Sequence, residues 1–529
     1  MSNRMRNLFP PPPSRFGAPD HVNKEGAPSY APTLREGLLE VLMLGTFGNA
    51  FYASSKELSE DALAIIKESV ATDPLYTAKA TVVARNEGYV RSAPIIALAT
   101  LVAGDKEAKA LARLIFPSII RTADDLRSFV GFVQSGQIQH SFGGIAQRLT
   151  ATWLRDHLDA YQAIKYAGSG ERLSLRNILR LSHPKAKNAS QNAIFGWLTS
   201  GAVSDDAPEM IKALGLLSGD DVDNEAIVNL IKTNHLPFEA VMPRVNMNAV
   251  SNKDVWGALL DNAPYMFLLR SLNAMSKAGV FSDKAALDIA CEKISNPQRV
   301  AKSMQFPFRF LSAANALQEA GAPKKLINAV YDALEVSVGN IPQIGNGGQI
   351  VVAPDVSGSM DGTTIAKSVS ASDVAGIFAG AIWKANPQAR VIPFGTDTHE
   401  SDVSASPRDT VMTIAKAIGK IYGGGTDLGA PVRALIKDGT KADLFIGITD
   451  SEDWAGRGFL SDWEDYKRKV NKDAKAVLIQ LVAYGDRVVP PAYPGVSYVY
   501  GWSDQVLRYL AYTQSGAKMS EIVDAADLG

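Results

Sequence analysis

From about Thr33 to Leu334 the apolar residues recur at i, i+3, i+4 and i+7, the spacing that lines one face of an α-helix. The stretches that carry it most clearly are Leu34–Leu44, Glu60–Val70, Ala93–Ala103, Ala108–Phe116, Thr122–Val133 and Ile145–His157. The pattern continues through Leu175–Ser182, Asn192–Leu198, Glu209–Leu217, Asn224–Lys232, Asp254–Asn262 and Tyr265–Lys277. Gly, Pro, Asn and Ser punctuate the gaps between them. Helices this short bury too little surface to stand alone, so they must stack against one another. No fixed sequence period is visible, which leaves a degenerate repeat of the HEAT or armadillo kind, or an irregular helical bundle.

Near position 345 the pattern changes. Gly339, Gly345, Gly347 and Gly348 mark a connector over 339–348, and a buried-type strand opens at Gln349–Ala353. Further strands are predicted at Ala389–Phe394, Asp443–Thr449 and Ala476–Ala483, alternating with helices Ala366–Lys384, Arg408–Lys420 and Ala430–Lys437. Such alternation specifies a doubly wound, mostly parallel α/β sheet. The chain therefore divides into a flexible Pro-rich arm (1–33), a helical domain (34–338), the connector, and an α/β domain (349–529).

At 529 residues the chain exceeds what one core supports, and 46% hydrophobic with 21% charged residues is ordinary for a soluble protein. Cys291 is the only cysteine, which rules out an intramolecular disulfide and a Cys-rich zinc site and fits a reducing, cytoplasmic setting. The prolines at positions 10–13 and the lack of a long apolar run argue against a signal peptide or a membrane span. Net charge is only −1, so any attraction to nucleic acid must come from local clustering. Residues 1–344 carry 36 − 33 = +3 and residues 345–529 carry 18 − 22 = −4. Within the first part, Ser141–Lys187 holds eight Lys/Arg against three acids, 8 − 3 = +5. Arg176 and Arg180 lie four apart on one face of Leu175–Ser182, with Arg172 before that helix and His183 and Lys185 after it. A cationic stripe of this kind can track phosphates. A solvated helix face is the alternative.

Ligands of open α/β sheets bind at the carboxyl ends of the strands. There the first strand runs into Asp355-Val356-Ser357-Gly358-Ser359, a neighbouring loop reads Gly423-Gly424-Gly425-Thr426-Asp427, and Asp443–Thr449 ends in Asp450. Each piece alone can be explained by helix capping or turn formation. Together they present hard oxygen donors suited to one Mg²⁺ or Mn²⁺. With only two carboxylates facing the ion, its charge is incompletely neutralised, which leaves a position for an acidic group from outside. A phosphatase reading of Asp355 requires a second carboxylate two residues on, where this chain has Ser357. No phosphate-binding Gly-Lys-Ser/Thr loop, His-Glu-x-x-His motif or evident triad occurs, so no catalytic residues are assigned.

The three loop motifs together resemble the metal-ion-dependent adhesion site of von Willebrand factor A domains. That resemblance implies Ser357, Ser359 and Thr426 as direct ligands, with Asp355 and Asp450 coordinating directly or through water. Leu179-Arg180-Leu181-Ser182-His183-Pro184-Lys185, with Lys165-Tyr166 upstream, resembles the signature stretch of the Ro autoantigen, or TROVE-domain, family in its bacterial form. Arg85-Asn86-Glu87-Gly88 with Arg91–Pro94, Thr233–Pro237, Val255–Leu260 with Leu268–Leu272, and Pro307–Phe310 agree. The resemblance implies a monomeric ring of HEAT-like repeats closed by the A domain. It also implies binding of small Y-like RNA on the outer basic surface and of 3′ ends of misfolded or structured noncoding RNA in the hole. The implied role is an adaptor to a 3′ exoribonuclease, of the polynucleotide phosphorylase kind, in RNA quality control or stress-related RNA processing. Lys165, Arg172 and His183 match basic residues tied to RNA binding in the family, and helical geometry adds Arg176, Arg180 and Lys185. The rival is a metal-dependent protein-adhesion module with the helices as scaffold.

Overall fold

In the computed structural model the described residues are 18–44, 55–138, 142–167, 173–217, 224–241, 253–303, 305, 307–338, 344, 348–366, 369–491, 493–501, 506, 510 and 518–528. The helical half begins with α1 (Leu34–Leu44), α2 (Ser55–Thr72), α3 (Pro74–Asn86), α4 (Ser92–Ala103), α5 (Lys106–Ile119) and α6 (Ala123–Gln134). It goes on through α7 (Gly144–His157), α8 (Ala160–Lys165), α9 (Leu175–Ser182), α10 (Ala189–Ser200), α11 (Glu209–Leu216), α12 (Asn224–Asn234) and α13 (Phe238–Val241). It ends with α14 (Lys253–Asp261), α15 (Tyr265–Lys277), α16 (Lys284–Ser295), α17 (Pro297–Ser303), α18 (Pro307–Glu319) and α19 (Lys324–Val338). Most of the connector expected over 339–348 lies outside the described residues.

Local chemistry sets the helix starts. Asp73 accepts the Tyr76 N–H, and Pro74 occupies the first turn of α3, where a missing N–H costs nothing. Thr122 and Asp125 form a reciprocal capping box at α6. The buried Asp125 carboxylate also receives Arg85 from α3 at 2.9 Å and Arg91 from the start of α4. Two of the basic residues in the family-like stretches are thus structural, holding three helices together. Helices pack on near neighbours in sequence, α3 on α4 and α5, and α16 and α18 on α19, as stacked repeats do.

The α/β half contains β3 (Ile350–Pro354), α20 (Gly358–Gly362), β4 (Thr364–Ala366), β5 (Val369–Ser370), α21 (Ala371–Ala385) and β6 (Arg390–Val391). After these come α22 (Val411–Ile418), α23 (Gly429–Asp438), β7 (Leu444–Thr449), α24 (Phe459–Lys469), β8 (Lys475–Gln480) and β9 (Val496–Tyr500). Five parallel strands run in the order β6-β3-β7-β8-β9. Side chains alternate between faces. Val352, Ile446 and Ile479 pack on one side with Ile377 of α21 and Ile414 of α22, while Val351, Phe445 and Leu478 pack on the other with Leu435 of α23 and Trp463 of α24. The sequence pattern differs in detail: β4 and β5 pair where the helix from Ala366 was expected, and the edge strand β6 is two residues long. α24 and β9 were not anticipated.

Both ends of the helical array rest on the α/β domain. α1 packs on β9 and on the helix Met519–Ala525, while α18 and α19 pack on α21 and α22. Lys384 joins Glu335 at 2.9 Å, and Lys416 donates to the Tyr331 hydroxyl at 2.9 Å. At the other seam, buried Glu40 of α1 pairs with buried Arg487 at 2.6 Å. An array that begins and ends on the same body closes on itself.

The expected flexible arm requires correction over residues 18–33. Residues 1–17 lie outside the described residues, but from there the chain makes the hairpin β1 (His21–Val22) and β2 (Pro28–Ser29) and lies on the α/β domain. Tyr30 and Arg487 exchange backbone hydrogen bonds of 2.9 and 3.1 Å, and Tyr30 enters the apolar core there. Composition flagged the prolines and missed this pairing, because a two-residue strand carries no periodicity of its own.

Candidate metal centre and nucleic-acid interface

β3 and β7 are neighbours in the sheet, so their carboxyl ends deliver Asp355 and Asp450 side by side. The chain leaves β3 through Asp355 into α20, whose N-cap is Ser357. The Ser357 N–H donates to Asp355 Oδ1 at 2.9 Å, the Thr449 hydroxyl donates to Oδ2 at 2.7 Å, and the Ser357 and Ser359 hydroxyls lie 3.2 Å apart. The loop carrying Thr426 is stitched to both strand ends through its backbone. Gly358 N–H donates to the Gly424 carbonyl at 2.8 Å, and Gly423 N–H to that of Val356 at 2.9 Å. Trp454 and Ala455 N–H groups donate to the Thr426 carbonyl at 3.0 and 2.9 Å. Gly395 and Gly423 meet backbone to backbone, so a Cβ on Gly395 would run into the Gly423 main chain. All five expected ligands are buried on the three converging loops.

Desolvation, then the nearby Asp450, pushes the Asp355 carboxyl up to about 7. Desolvation likewise pushes Asp450 up to about 6, with Ser359 easing it back. Asp450 Oδ2 is buried and has no hydrogen-bond partner, and among the described residues neither carboxylate pairs with a basic side chain. Two under-compensated carboxylates beside three buried hydroxyls fit a hard divalent cation. No group of three His, Cys, Asp or Glu capable of holding a metal occurs among the described residues, so a cation held here would need the hydroxyls as well as the two carboxylates. The motif neighbour Asp427 is already neutralised by Arg433 at 2.6 Å.

Sequence reasoning missed the groups behind the ligands. Thr449 holds Asp355, and its place just before Asp450 was the available signal. Glu452, pushed up to about 10 first by burial and then by Asp486 and Asp450, stays protonated at neutral pH beside Asp486. The hairpin β1–β2 covers this layer, with Lys24 N–H on Glu452 at 2.8 Å and the Ser29 hydroxyl on Asp486 at 3.0 Å. Tyr422, 76% exposed, and Trp454, 37% exposed, stand on the neighbouring loops.

The basic candidates fall into two groups. α9 buries Leu175, Ile178, Leu179 and Ser182, which turns Arg176 and Arg180 to solvent on the opposite side. His183 ends the helix in the left-handed region at φ 50°, and it and Lys185 are exposed. Among the described residues none of these four has an ion-pair partner, whereas Arg155 nearby is held by Asp156 at 2.8 Å. Lys165 stands apart on α8, which packs on α10, α11 and α13, while α9 packs on α6, α7 and α10. Its ammonium lies 5.5 Å from the Tyr161 ring and 5.4 Å from that of Tyr166. Arg172 lies outside the described residues.

The model of the Ro60 vWA domain matches residues 349–511, and that of the TROVE domain matches 233–345. The chain is 23% identical over 518 residues to the RNA-binding protein RO60 of Deinococcus radiodurans, covering 93% of this chain and 95% of that protein. It is also 23% identical over 317 residues to the RNA-binding protein RO60 of Caenorhabditis elegans, covering 56% and 48% of the two. The crystal structure of the Deinococcus radiodurans RO (RSR) protein superposes with a TM-score of 0.68 at 22% identity, over 91% of this chain and 100% of that one. The basic stretch on α8 and α9 precedes the TROVE match, so its assignment rests on the longer alignment, to the Deinococcus radiodurans protein, and on its own geometry. With two adjoining family matches over the second half and a near full-length relative, this chain belongs to the Ro family.

Proposed function

We propose that this protein binds RNA through the exposed face of α9 and the residues after it. The observation that carries the reading is the set Arg176, Arg180, His183 and Lys185, turned to solvent with no acidic partner among the described residues. Side chains that have no acid to give up can engage phosphates at little cost, and phosphate contacts supply most sequence-independent affinity. Two relatives bear the name RNA-binding protein. Within this reading, small structured Y-like RNA lies on the outer surface and single-stranded 3′ ends of noncoding RNA enter the closed array. The particle acts as an adaptor to a 3′ exoribonuclease rather than cleaving RNA itself.

The α/β domain adds a second, compatible role. Ser357, Ser359 and Thr426, with Asp355 and Asp450, would hold one Mg²⁺ or Mn²⁺. A cation held by two carboxylates keeps residual positive charge and attracts an acidic group of a partner protein. The orphaned Asp450 oxygen favours this reading.

Charge reversal tests the RNA surface. Arg176→Glu with Arg180→Glu should weaken binding of structured RNA whatever its sequence. If about five phosphates of a single strand are engaged, log K against log salt should slope about −3.5, falling by about 1.4 in the variant. An affinity indifferent to salt, or unchanged in the variant, would leave α9 an ordinary solvated face.

A further inference from the structure

A shallow, open cleft lies beside Lys165, between α8, α13 and the start of α15. Its walls are the partly buried rings of Tyr161, Phe238 and Phe267. Phe238 and Phe267 lie 4.9 Å apart between centroids, and Phe238 is braced from behind by Trp256 at 5.2 Å. The rim is polar, with the Lys165 ammonium, the exposed Glu239 carboxylate and the exposed Asn262 amide. Burial first, then the charge of Glu239, pushes the Tyr161 phenol up to about 12, so its hydroxyl stays a donor. Apolar aromatic walls exclude a phosphate as the buried part of a ligand. A rim holding donors and acceptors together excludes a purely aliphatic one. A planar heterocycle with a phosphate attached satisfies both, since the ring stacks and the phosphate stays near Lys165. Among the described residues Lys165 has no ion-pair partner, and its ammonium lies over the Tyr161 and Tyr166 rings.

We propose that this cleft takes one unpaired nucleobase of a bound RNA, stacked on Tyr161 and Phe238 with its edge read by Glu239 and Asn262. The inference rests on the RNA-binding reading above and adds to it a distinct subsite. Stacking needs a base free of its own helix, so the subsite selects unpaired nucleotides, whereas the α9 stripe is indifferent to pairing.

The test uses the full chain and two RNA hairpins of the same stem, one fully paired and one with a single unpaired nucleotide at mid-stem, titrated by fluorescence anisotropy. The wild type should prefer the hairpin with the unpaired nucleotide by about five- to a hundredfold, the range expected for one stacked base. Tyr161→Leu should erase that preference while leaving affinity for the paired hairpin within twofold. Asn262→Ala, on the exposed rim, should reduce the preference several-fold with the fold undisturbed. Equal affinity of the wild type for the two hairpins, or a Tyr161→Leu variant weakened equally toward both, overturns the subsite alone. Failure to bind either hairpin overturns the RNA reading and the subsite with it.

Discussion

Replacing Glu40 by leucine should open the seam between α1 and the sheet. Glu40 is 2% exposed and Arg487 is 1% exposed, and they meet at 2.6 Å. Without Glu40 the guanidinium keeps Gln480 at 3.0 Å, the Asp486 carbonyl at 2.9 Å and the Tyr500 hydroxyl at 2.9 Å, but loses its only countercharge among the described residues. The Gly485 N–H, now 3.0 Å from Glu40, loses its acceptor as well. Stranding one member of a buried pair costs about 3–5 kcal/mol. If opening this seam exposes the α1 amides, their hydrogen exchange should accelerate by about two to three and a half orders of magnitude. Replacing both partners, Glu40→Leu with Arg487→Met, removes the stranded charge and should recover most of the loss. Exchange of α1 at the wild-type rate in Glu40→Leu, or a double variant as impaired as the single one, refutes the argument.

The proposed cation site makes a pH-dependent prediction. In the metal-free protein the raised carboxyls of Asp355 (about 7) and Asp450 (about 6) bind protons that the unfolded chain has released above about pH 4. Stability should therefore fall as pH rises from about 4 through 7, and Mg²⁺ should restore it, raising Tm more at pH 8 than at pH 5. An equal Mg²⁺ shift at both values would sink the assignment, and Asp355→Ala or Ser357→Ala should abolish the calorimetric binding signal. If the closed array admits a single strand, a structured RNA with a free 3′ tail should outbind the same RNA trimmed blunt in gel shifts. Equal binding of the two would confine RNA to the outer surface.

The candidate metal motif was legible because two of its expected ligands fall at strand ends, where a continuous buried apolar run stops at Asp355 or Asp450. Ser357 and Ser359 follow within four residues of Asp355, so the first loop could be read as a unit. Glu452 and Asp486 were not legible, because each acts through a partner distant in sequence. Arg176 and Arg180 were visible from their i, i+4 spacing. Their lack of ion-pair partners among the described residues was not, since only packing decides which acids reach which bases: Arg85 and Arg91 look equally basic in the sequence, yet Asp125 holds both. The hairpin β1–β2 was invisible for a similar reason, because its partners Glu452 and Asp486 lie more than 400 positions away.

A linear stack of helical repeats ends in two bare faces, which natural solenoids shield with polar terminal repeats. Here the α/β domain shields both, α1 at one side and α18–α19 at the other, and one continuous apolar core runs from Leu38 through Ile377 to Val523. Neither half then has a finished surface of its own. A helical fragment made without the α/β domain would carry two exposed apolar ends, each able to seat on another copy, and would be expected to polymerise rather than remain as discrete rings.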